Sequence, residues 1–178
     1  MLSESLQDAL NEQIKNEFYS AYLYLAMSSY CESQNLPGMA NWLRVQYLEE
    51  LGHGLRFYDY VNDRGGRVIL GAIDQPPVDF GSPLQLFEEV AAHEAKVTAM
   101  INNLYAMATK ENDYTTQAAL QWFITEQVEE EKNADQIVKQ IRMVQGNPAG
   151  LFMIDQQLAA RVLAPGAGPV PVPGAAPA

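Results

Sequence analysis

Thiols are almost absent from this chain, which has one cysteine among its 178 residues. Cys31 on its own excludes an internal disulfide framework and a metal site built from four thiolates. The sequence also lacks a glycine-rich phosphate loop, a serine nucleophile elbow and paired cysteines. The chemistry must therefore depend on other side chains.

Basic residues are scarce as well, with 11 Lys and Arg against 22 Asp and Glu and a net charge of −11. Such a surface repels nucleic acid and anionic membranes and favours cations as partners. No apolar run is long enough to span a bilayer. The polar, acidic start from Met1 to Leu10 is unlike a secretory signal. Together with the lone cysteine, these features predict a cytoplasmic protein.

Helical periodicity is abundant, whereas strand-like alternation is rare. The length suits one all-α domain with a sizeable core. Ser82, Pro83 and Gln85 form a capping-box signature at the start of the third helix. The predicted helices are Ser5–Ser33, Met39–Arg64, Pro83–Lys110, a fourth from the turn at Asn112-Asp113 to about Gln145, and a short fifth from Pro148 to about Leu163.

The connection between the second and third helices is unusually long. It covers Gly65 to Ser82, which is 18 residues (82−65+1=18). Extended chain of that length reaches roughly 60 Å, and a helix of about 26 residues is roughly 40 Å long. We therefore expect a four-helix bundle of two helical hairpins joined by one crossover. An up-down-up-down bundle with a slack loop is the weaker alternative, because long loops are uncommon in compact domains.

The stretch from Ala164 to Ala178 holds only Pro, Gly, Ala and Val. It has neither charge nor helical period, so we predict a flexible or extended tail without its own fold. The expected division is a helical domain over 1–163 and a tail over 164–178.

Polar residues interrupt the apolar stripes of the long helices with a repeated spacing. Glu17 is followed by Glu50 after 33 positions (50−17=33) and then by His53. Glu94 is followed by Gln127 after 33 positions (127−94=33) and then by Glu130. Antiparallel hairpins would bring these positions to one height. A polar residue in a core stripe is costly unless something binds it, so the pattern predicts a shared polar site inside the bundle.

Four glutamates that converge in a dry bundle cannot all stay ionised. Two like charges 4 Å apart repel by about 4 kcal/mol even at an effective dielectric constant of 20. Either some carboxyl groups keep their protons, or cations lie between them. Carboxylates with one imidazole and one amide suit Fe, Mn or Zn better than Cu(I). Two bridged cations would match the pseudo-symmetric spacing.

Other polar residues near this pattern have simpler explanations. Four glutamates flank the stripes and could simply face water, namely Glu49, Glu126, Glu129 and Glu131. His93 adjoins Glu94 but points about 100° away around the helix, so we do not expect it to be a ligand. Tyr24 could be plain core, or its phenol could donate a hydrogen bond or an electron near a metal. The sequence favours neither for Tyr24.

Three segments of the chain resemble the metal-binding helices of a bacterial non-haem ferritin. They are LNEQIKNEFYSAYLYLAMS, LRVQYLEELGHGLRFYDYV and LQWFITEQVEEEK. The resemblance extends over about Met1 to Leu163, with the long crossover and the short fifth helix. It implies a ferritin-like bundle with a dinuclear ferroxidase centre. It also implies a hollow shell of twenty-four subunits that stores a ferric oxyhydroxide core.

The family's functional residues can be carried over to matching positions. One iron would take Glu17, Glu50 and His53. The other would take Glu50 as a bridge with Glu94 and Glu130, and Gln127 nearby. Tyr24 matches the family's tyrosine beside the centre, so Tyr24, Glu50 and Glu130 are the expected catalytic residues. A third iron site, typical of the bacterial branch, would take Glu49, Glu126, Glu129 and Glu130.

Two departures from related patterns limit what the resemblance implies. The fourth helix has Q-x-x-E where haem-containing bacterioferritins have a second E-x-x-H, and Leu51 stands where their haem-ligating methionine would fall. We therefore expect no haem. The start of the fourth helix, Thr116 to Leu120, lacks the acidic pair that lines iron channels in animal ferritins. The route by which iron enters is left open.

The expected function is an iron store with ferroxidase activity, in which O2 or peroxide oxidises Fe(II). A non-catalytic iron-binding shell is one alternative. A discrete di-iron oxidoreductase, such as a peroxide reductase, is the other. That class usually needs an electron-delivery partner, and the chain lacks a rubredoxin-like cysteine cluster.

Overall fold

A computed structural model describes residues 2–169 and contains five helices and no strand over that range. They are α1 Glu4–Ser33, α2 Pro37–Asp63, α3 Pro83–Lys110, α4 Tyr114–Met143 and α5 Pro148–Leu158. The all-α prediction, with four long helices and a short fifth, is confirmed. The last two helices end earlier than predicted, at Met143 and Leu158.

Side-chain caps begin most of the helices. The Ser3 hydroxyl accepts the backbone N–H of Leu6 at the start of α1. Ser82 and Gln85 cap one another's backbone N–H groups at the start of α3, which confirms the predicted capping box. These caps satisfy backbone donors that have no partner within the helix.

Two asparagines make the hairpin turns. Asn35 and Asn112 have φ angles of 58° and 57°, a left-handed conformation that asparagine tolerates better than most residues. After Asn35, the backbone N–H of Leu36 reaches back to the carbonyl of Cys31. These tight turns make α1 antiparallel to α2, and α3 antiparallel to α4.

The crossover between α2 and α3 follows α1 over almost its whole length. Near the start of α1, the Asn11 amide donates to the Arg67 carbonyl and its oxygen accepts the Ile69 N–H. Near the end of α1, the Tyr30 hydroxyl donates to Asp79 and to the Gly81 carbonyl. The crossover therefore traverses the bundle, as predicted, and the up-down-up-down alternative is wrong.

The apolar core falls into two clusters with a polar layer between them. One cluster includes Leu10, Phe57 and Leu120, and the other includes Leu43 and Phe87. Each long helix contributes residues to both clusters, and its buried glutamate lies between these two sets. The four glutamates are Glu17, Glu50, Glu94 and Glu130. The bundle thus surrounds a polar centre with dry packing at both ends.

The predicted tail falls mostly outside the described residues. Residues 164–169 form no helix, and residues 170–178 lie beyond the described range. The proposed boundary at 163/164 therefore stays a prediction. No helix within residues 2–169 combines the length and apolar character needed to cross a membrane.

Candidate metal centre

Glu17 of α1 and Glu50 and His53 of α2 form the tightest cluster of possible metal ligands in the described chain. One ligand atom from each lies within 4.8 Å of the others. Their exposed fractions are 1%, 1% and 2%. Residues three apart share a helix face, so Glu50 and His53 point inward together, and the short turn at Asn35 brings Glu17 to their level.

Glu17 has one oxygen without a partner. Its Oε1 accepts a hydrogen bond from Gln13 Nε2 at 2.7 Å, whereas its Oε2 is buried with no hydrogen-bond partner among the described residues. Burial, followed by the nearby Glu50 carboxylate, raises the pKa of Glu17 well above its ordinary value. An unsatisfied buried acceptor usually costs about 1–3 kcal/mol, so a cation at this point would remove a penalty.

The second hairpin adds two more buried carboxylates, each held by a neighbour. Glu94 accepts hydrogen bonds from the Tyr24 hydroxyl and, at 3.2 Å, from Gln127 Nε2. Glu130 Oε2 accepts from Gln46 Nε2 at 2.8 Å. The structure thus brings all the predicted inner residues into one buried layer. Whether they bind metal stays a prediction.

The carboxylates of this layer repel one another. Burial raises the pKa of Glu50 well above its ordinary value, and the charges of Glu94 and Glu130 raise it further. Burial, then Glu94 and Glu49, raises the pKa of Glu130 to about 8. The Glu94 pKa is also raised by burial, against the opposing hydrogen bond from Tyr24. Near neutral pH the layer must hold protons or bind cations.

The glutamates predicted for a third iron site differ in exposure. Glu49 is buried, Glu126 is half-buried and Glu129 is exposed. Glu49 forms an ion pair with Arg161 at 2.5 Å. Burial raises the pKa of Glu49, although Arg161 opposes the shift. Glu131 is exposed, in agreement with its interpretation as a solvated residue.

The structure decides the interpretation of Tyr24 that the sequence left open. Tyr24 is fully buried and its phenol donates to Glu94, so it is more than an apolar core residue. His93 packs edge-on against the Tyr24 ring, and its Nε2 lies 2.8 Å from Ser20 Oγ. His93 is therefore engaged with Ser20 and with the Tyr24 ring.

Three residues of the site were missed in the sequence. Gln13 precedes Glu17, which it contacts, by four positions, so helical spacing alone could have found it. Gln46 contacts Glu130, which is 84 residues away on another helix, so local spacing does not indicate this contact. Arg161 is 112 residues from Glu49, so no local pattern indicates it.

The donor set favours hard divalent or trivalent cations. Four buried carboxylates and one imidazole supply mostly oxygen ligands, which suit iron, manganese or zinc better than softer ions. Carboxylates between two cations can bridge them, and Glu50 is the carboxylate that interacts with both Glu17 and the Glu94–Glu130 side. The layer could therefore accept two cations side by side.

The chain is similar in sequence to known proteins over most of its length. The family model described as Ferritin-like domain matches residues 7–144. A bacterial non-heme ferritin of Bacteroides fragilis is 44% identical over 161 residues, covering 90% of this chain and 100% of that protein. A bacterial non-heme ferritin of Staphylococcus saprophyticus is 40% identical over 161 residues, covering 90% and 96%.

Solved structures agree with the sequence comparison. An engineered closed form of the Archaeoglobus fulgidus ferritin superposes with a TM-score of 0.91 at 46% identity, covering 92% of this chain and 100% of that one. The open-pore ferritin from the same organism gives a TM-score of 0.90 at 46% identity, covering 91% and 100%. Fold and sequence therefore indicate the same relationship.

Proposed function

The chain belongs to the ferritin family, and from that premise we propose that it stores iron and is a ferroxidase. Membership follows from the family match over residues 7–144 and from relatives that are 40% and 44% identical over nine-tenths of the chain. The activity and its residues are proposals supported by the geometry described above, and the assembly is a proposal supported by the similarity to ferritins.

The unpaired Oε2 of buried Glu17 is the observation that carries this proposal. A first Fe(II) would bind Glu17, Glu50 and His53, whose ligand atoms lie within 4.8 Å of one another. The ion would give Glu17 Oε2 its missing partner and replace protons held at raised pKa. Metal binding to carboxylates releases such protons.

A second Fe(II) would bind Glu50 as a bridge together with Glu94 and Glu130. Tyr24 and Gln127 orient Glu94, and Gln46 orients Glu130. Neighbours of this kind fix the direction of a ligand, and their loss typically lowers metal affinity 10–100-fold. Gln127 lies close enough to assist, although its amide nitrogen is already engaged with Glu94.

The proposed reaction oxidises the bound pair. Each Fe(II) loses one electron, and O2 takes both electrons with two protons to give H2O2; peroxide could serve as the oxidant instead. The protein's part is to hold the two ions at adjacent positions with open coordination sites. The ferric ions would then leave for storage, and the third site of Glu49, Glu126, Glu129 and Glu130 shares Glu130 with the centre.

The storage proposal includes a closed assembly. We propose a shell of twenty-four chains that encloses a ferric oxyhydroxide core in the cytoplasm, without haem. We also propose that residues 1–163 form the iron-binding domain and residues 164–178 an appendage.

Aerobic Fe(II) titration tests the activity directly. We expect Glu50→Ala and Glu130→Ala to lower the initial oxidation rate by more than about 100-fold, because ligand loss exceeds the effect of losing an orienting neighbour. Glu89→Ala, which changes an exposed glutamate on α3, is the matched control and should oxidise Fe(II) at the normal rate.

Size measurements on the same samples separate the alternatives. A shell of normal size in every variant, with unchanged oxidation in Glu50→Ala, would favour a non-catalytic iron-binding shell. A small dimer that oxidises Fe(II) would favour a discrete di-iron oxidoreductase instead of storage.

A further inference from the structure

The chain after α5 runs along α2. Residues 159–168 are here named the C-terminal strap. The Asn41 amide donates to the carbonyls of Ala159 and Arg161 at 3.2 and 3.0 Å. Farther along α2, Arg56 donates to the Gly166 carbonyl at 3.2 Å. The strap thus lies against α2 from Asn41 to Arg56.

The strap backbone approaches α2 closely at a glycine of α2, Gly52. A Cβ atom added at Gly52 would lie 2.3 Å from the carbonyl oxygen of Ala167, nearer than real Cβ contacts come. Gly52 is adjacent to His53 of the metal centre. The strap therefore packs on the same part of α2 that supplies the ligands.

Arg161 is the one charged residue of the C-terminal strap. Its side chain contacts Glu49 of α2, a member of the proposed third iron site. Its guanidinium lies 4.3 Å from the centre of the Trp42 ring and donates to Glu49 Oε2 at 2.5 Å. The exposed fractions of the two side chains in this ion pair are 18% and 11%. The exposed pair Lys139–Asp135 has 67% and 56%. Arg161 is thus a cation shielded from solvent.

A second hydrogen bond extends the reach of Arg161. Its Nη1 donates to Gln46 Oε1 at 2.7 Å, and Gln46 Nε2 donates to Glu130 Oε2 at 2.8 Å. Arg161 therefore touches Glu49 directly and Glu130 through one amide. These are the two buried members of the proposed third iron site.

We propose that Arg161 is a tethered counter-ion for the third site, which a divalent cation must displace from Glu49 in order to bind. This inference rests on the proposed function. A guanidinium that is held by Glu49 blocks one ligand oxygen and repels an incoming cation. When the metal binds, Arg161 leaves Glu49 and the Trp42 ring, and the strap loses its charged anchor. Filling of the third site is thereby coupled to the position of the strap.

Zinc calorimetry on the full assembled protein tests the exchange, because Zn(II) binds carboxylate and imidazole without redox change. We expect Arg161→Ala to raise the affinity for the third Zn(II) per chain about 10-fold and to change the affinities for the first two by much less, because Arg161 touches Glu49 directly but Glu130 only through Gln46. Arg56→Ala is the matched control. Arg56 also bonds the strap and stacks on a tryptophan, Trp122, at 4.1 Å, but it does not contact Glu49.

The Arg56→Ala control shows whether the charge of Arg161 or the covering of α2 by the strap lowers the affinity for the third Zn(II). An equal rise in the affinity for the third Zn(II) in Arg56→Ala would overturn the counter-ion role of Arg161. It would show that the strap hinders metal binding only by covering α2. An unchanged third affinity in Arg161→Ala would overturn the inference outright. If wild-type protein lacked the two tight equivalents, the proposed function itself would fail, and this inference with it.

A second measurement keeps Arg161 in place and so does not depend on how its variants fold. The chain has two tryptophans, so Trp122→Phe leaves Trp42 as the reporter beneath the guanidinium. We expect the Trp42 emission to change with the third equivalent of Zn(II) and to stay constant during the first two. An emission that does not respond to the third equivalent would contradict displacement of Arg161.

Discussion

At the scale of single residues, the candidate metal centre is a group of buried carboxyl groups with too few hydrogen-bond or cationic partners to stay ionised together. Glu17, Glu50 and Glu130 are almost fully buried, and burial is the largest cause of the raised pKa of each. A group whose pKa is higher in the folded chain than in the unfolded chain binds more protons when folded. The metal-free fold is therefore most favourable where these groups are protonated.

The stability of metal-free protein should fall as the pH rises. The folded-state pKa values of Glu17, Glu50 and Glu130 lie above the ordinary 4.5, at about 8 for Glu130. They give stability that is full below pH 4.5 and is lost as the pH rises through the folded values. Urea unfolding with a chelator present should show a midpoint that declines between about pH 5 and pH 8. Glu130→Gln should make that decline shallower.

An exposed carboxylate provides the control for this pH dependence. The net charge of −11 also favours lower stability at higher pH through general repulsion. Glu129→Gln removes one charge from the surface next to Glu130 and should change the slope little. A slope that responds equally to both substitutions would assign the effect to net charge instead of burial.

At the scale of helices, the contact between α5 and α2 sets the position of everything that follows α5. The N-terminus of α2 has no side-chain cap of its own at Leu36. Instead, the buried Asp155 of α5 accepts the backbone N–H of Met39 at 2.8 Å. A carboxylate at a helix N-terminus is favoured by the free N–H groups and the helix dipole, so α5 docks by capping α2.

Gly38 makes this close approach possible, and its replacement should be destabilising. A Cβ at position 38 would lie 1.7 Å from the backbone oxygen of Asp155. Helix propensity alone would make Gly38→Ala stabilising by about 1 kcal/mol, whereas overpacking typically costs about 1–3 kcal/mol. We expect the overlap to dominate, because backbone cannot move aside like a side-chain end. Thermal unfolding would then show a lower Tm for Gly38→Ala.

Gly71→Ala is a suitable comparison for that measurement. A Cβ at Gly71 would meet only the flexible Lys15 side chain, at 3.0 Å, so its Tm should change little. A higher Tm for Gly38→Ala would show that propensity outweighs the contact and that α5 can shift without penalty.

At the scale of the whole molecule, the polar layer joins the two hairpins. Glu17, Glu50 and His53 come from α1 and α2, whereas Glu94 and Glu130 come from α3 and α4. Cations bound among them would link the hairpins at mid-height, between the two apolar clusters of the core. Bound metal should therefore offset the repulsion between the buried carboxylates and link the α1–α2 hairpin to the α3–α4 hairpin.

Bound Zn(II) should stabilise the fold through both hairpins. A ligand that binds only the native state contributes about 2.7 kcal/mol at 100 times its Kd. Glu17→Gln and Glu94→Gln, one from each hairpin, should each lose most of the Zn(II)-induced rise in Tm. Glu89→Gln, an exposed change on α3, should keep the rise. A full rise in Glu94→Gln would show that metal binds the first hairpin alone.

Much of the fold and of the inner site could be predicted from sequence because both depend on local spacing. The 33-residue interval from Glu17 to Glu50, and from Glu94 to Gln127, combines helical period with tight turns at Asn35 and Asn112. The crossover was predictable from chain length. Gln13 could have been predicted in the same way, since it lies one helical turn from Glu17, whereas Gln46 reaches Glu130 on another helix.

By itself, the sequence determined the helices, the turns and the level at which acidic side chains enter the core, because helical period and turn chemistry act over a few residues. The tertiary structure alone decided where α5 ends, how Asp155 caps α2, and that Arg161 reaches Glu49. The contacts of Asp155 and Arg161 join residues more than a hundred positions apart. Their geometry depends on helices that meet only when the bundle has assembled. The distinction matters for the candidate site itself: its proposed ligands follow from a repeated pattern, whereas the Arg161 guanidinium that pairs with Glu49 follows from packing.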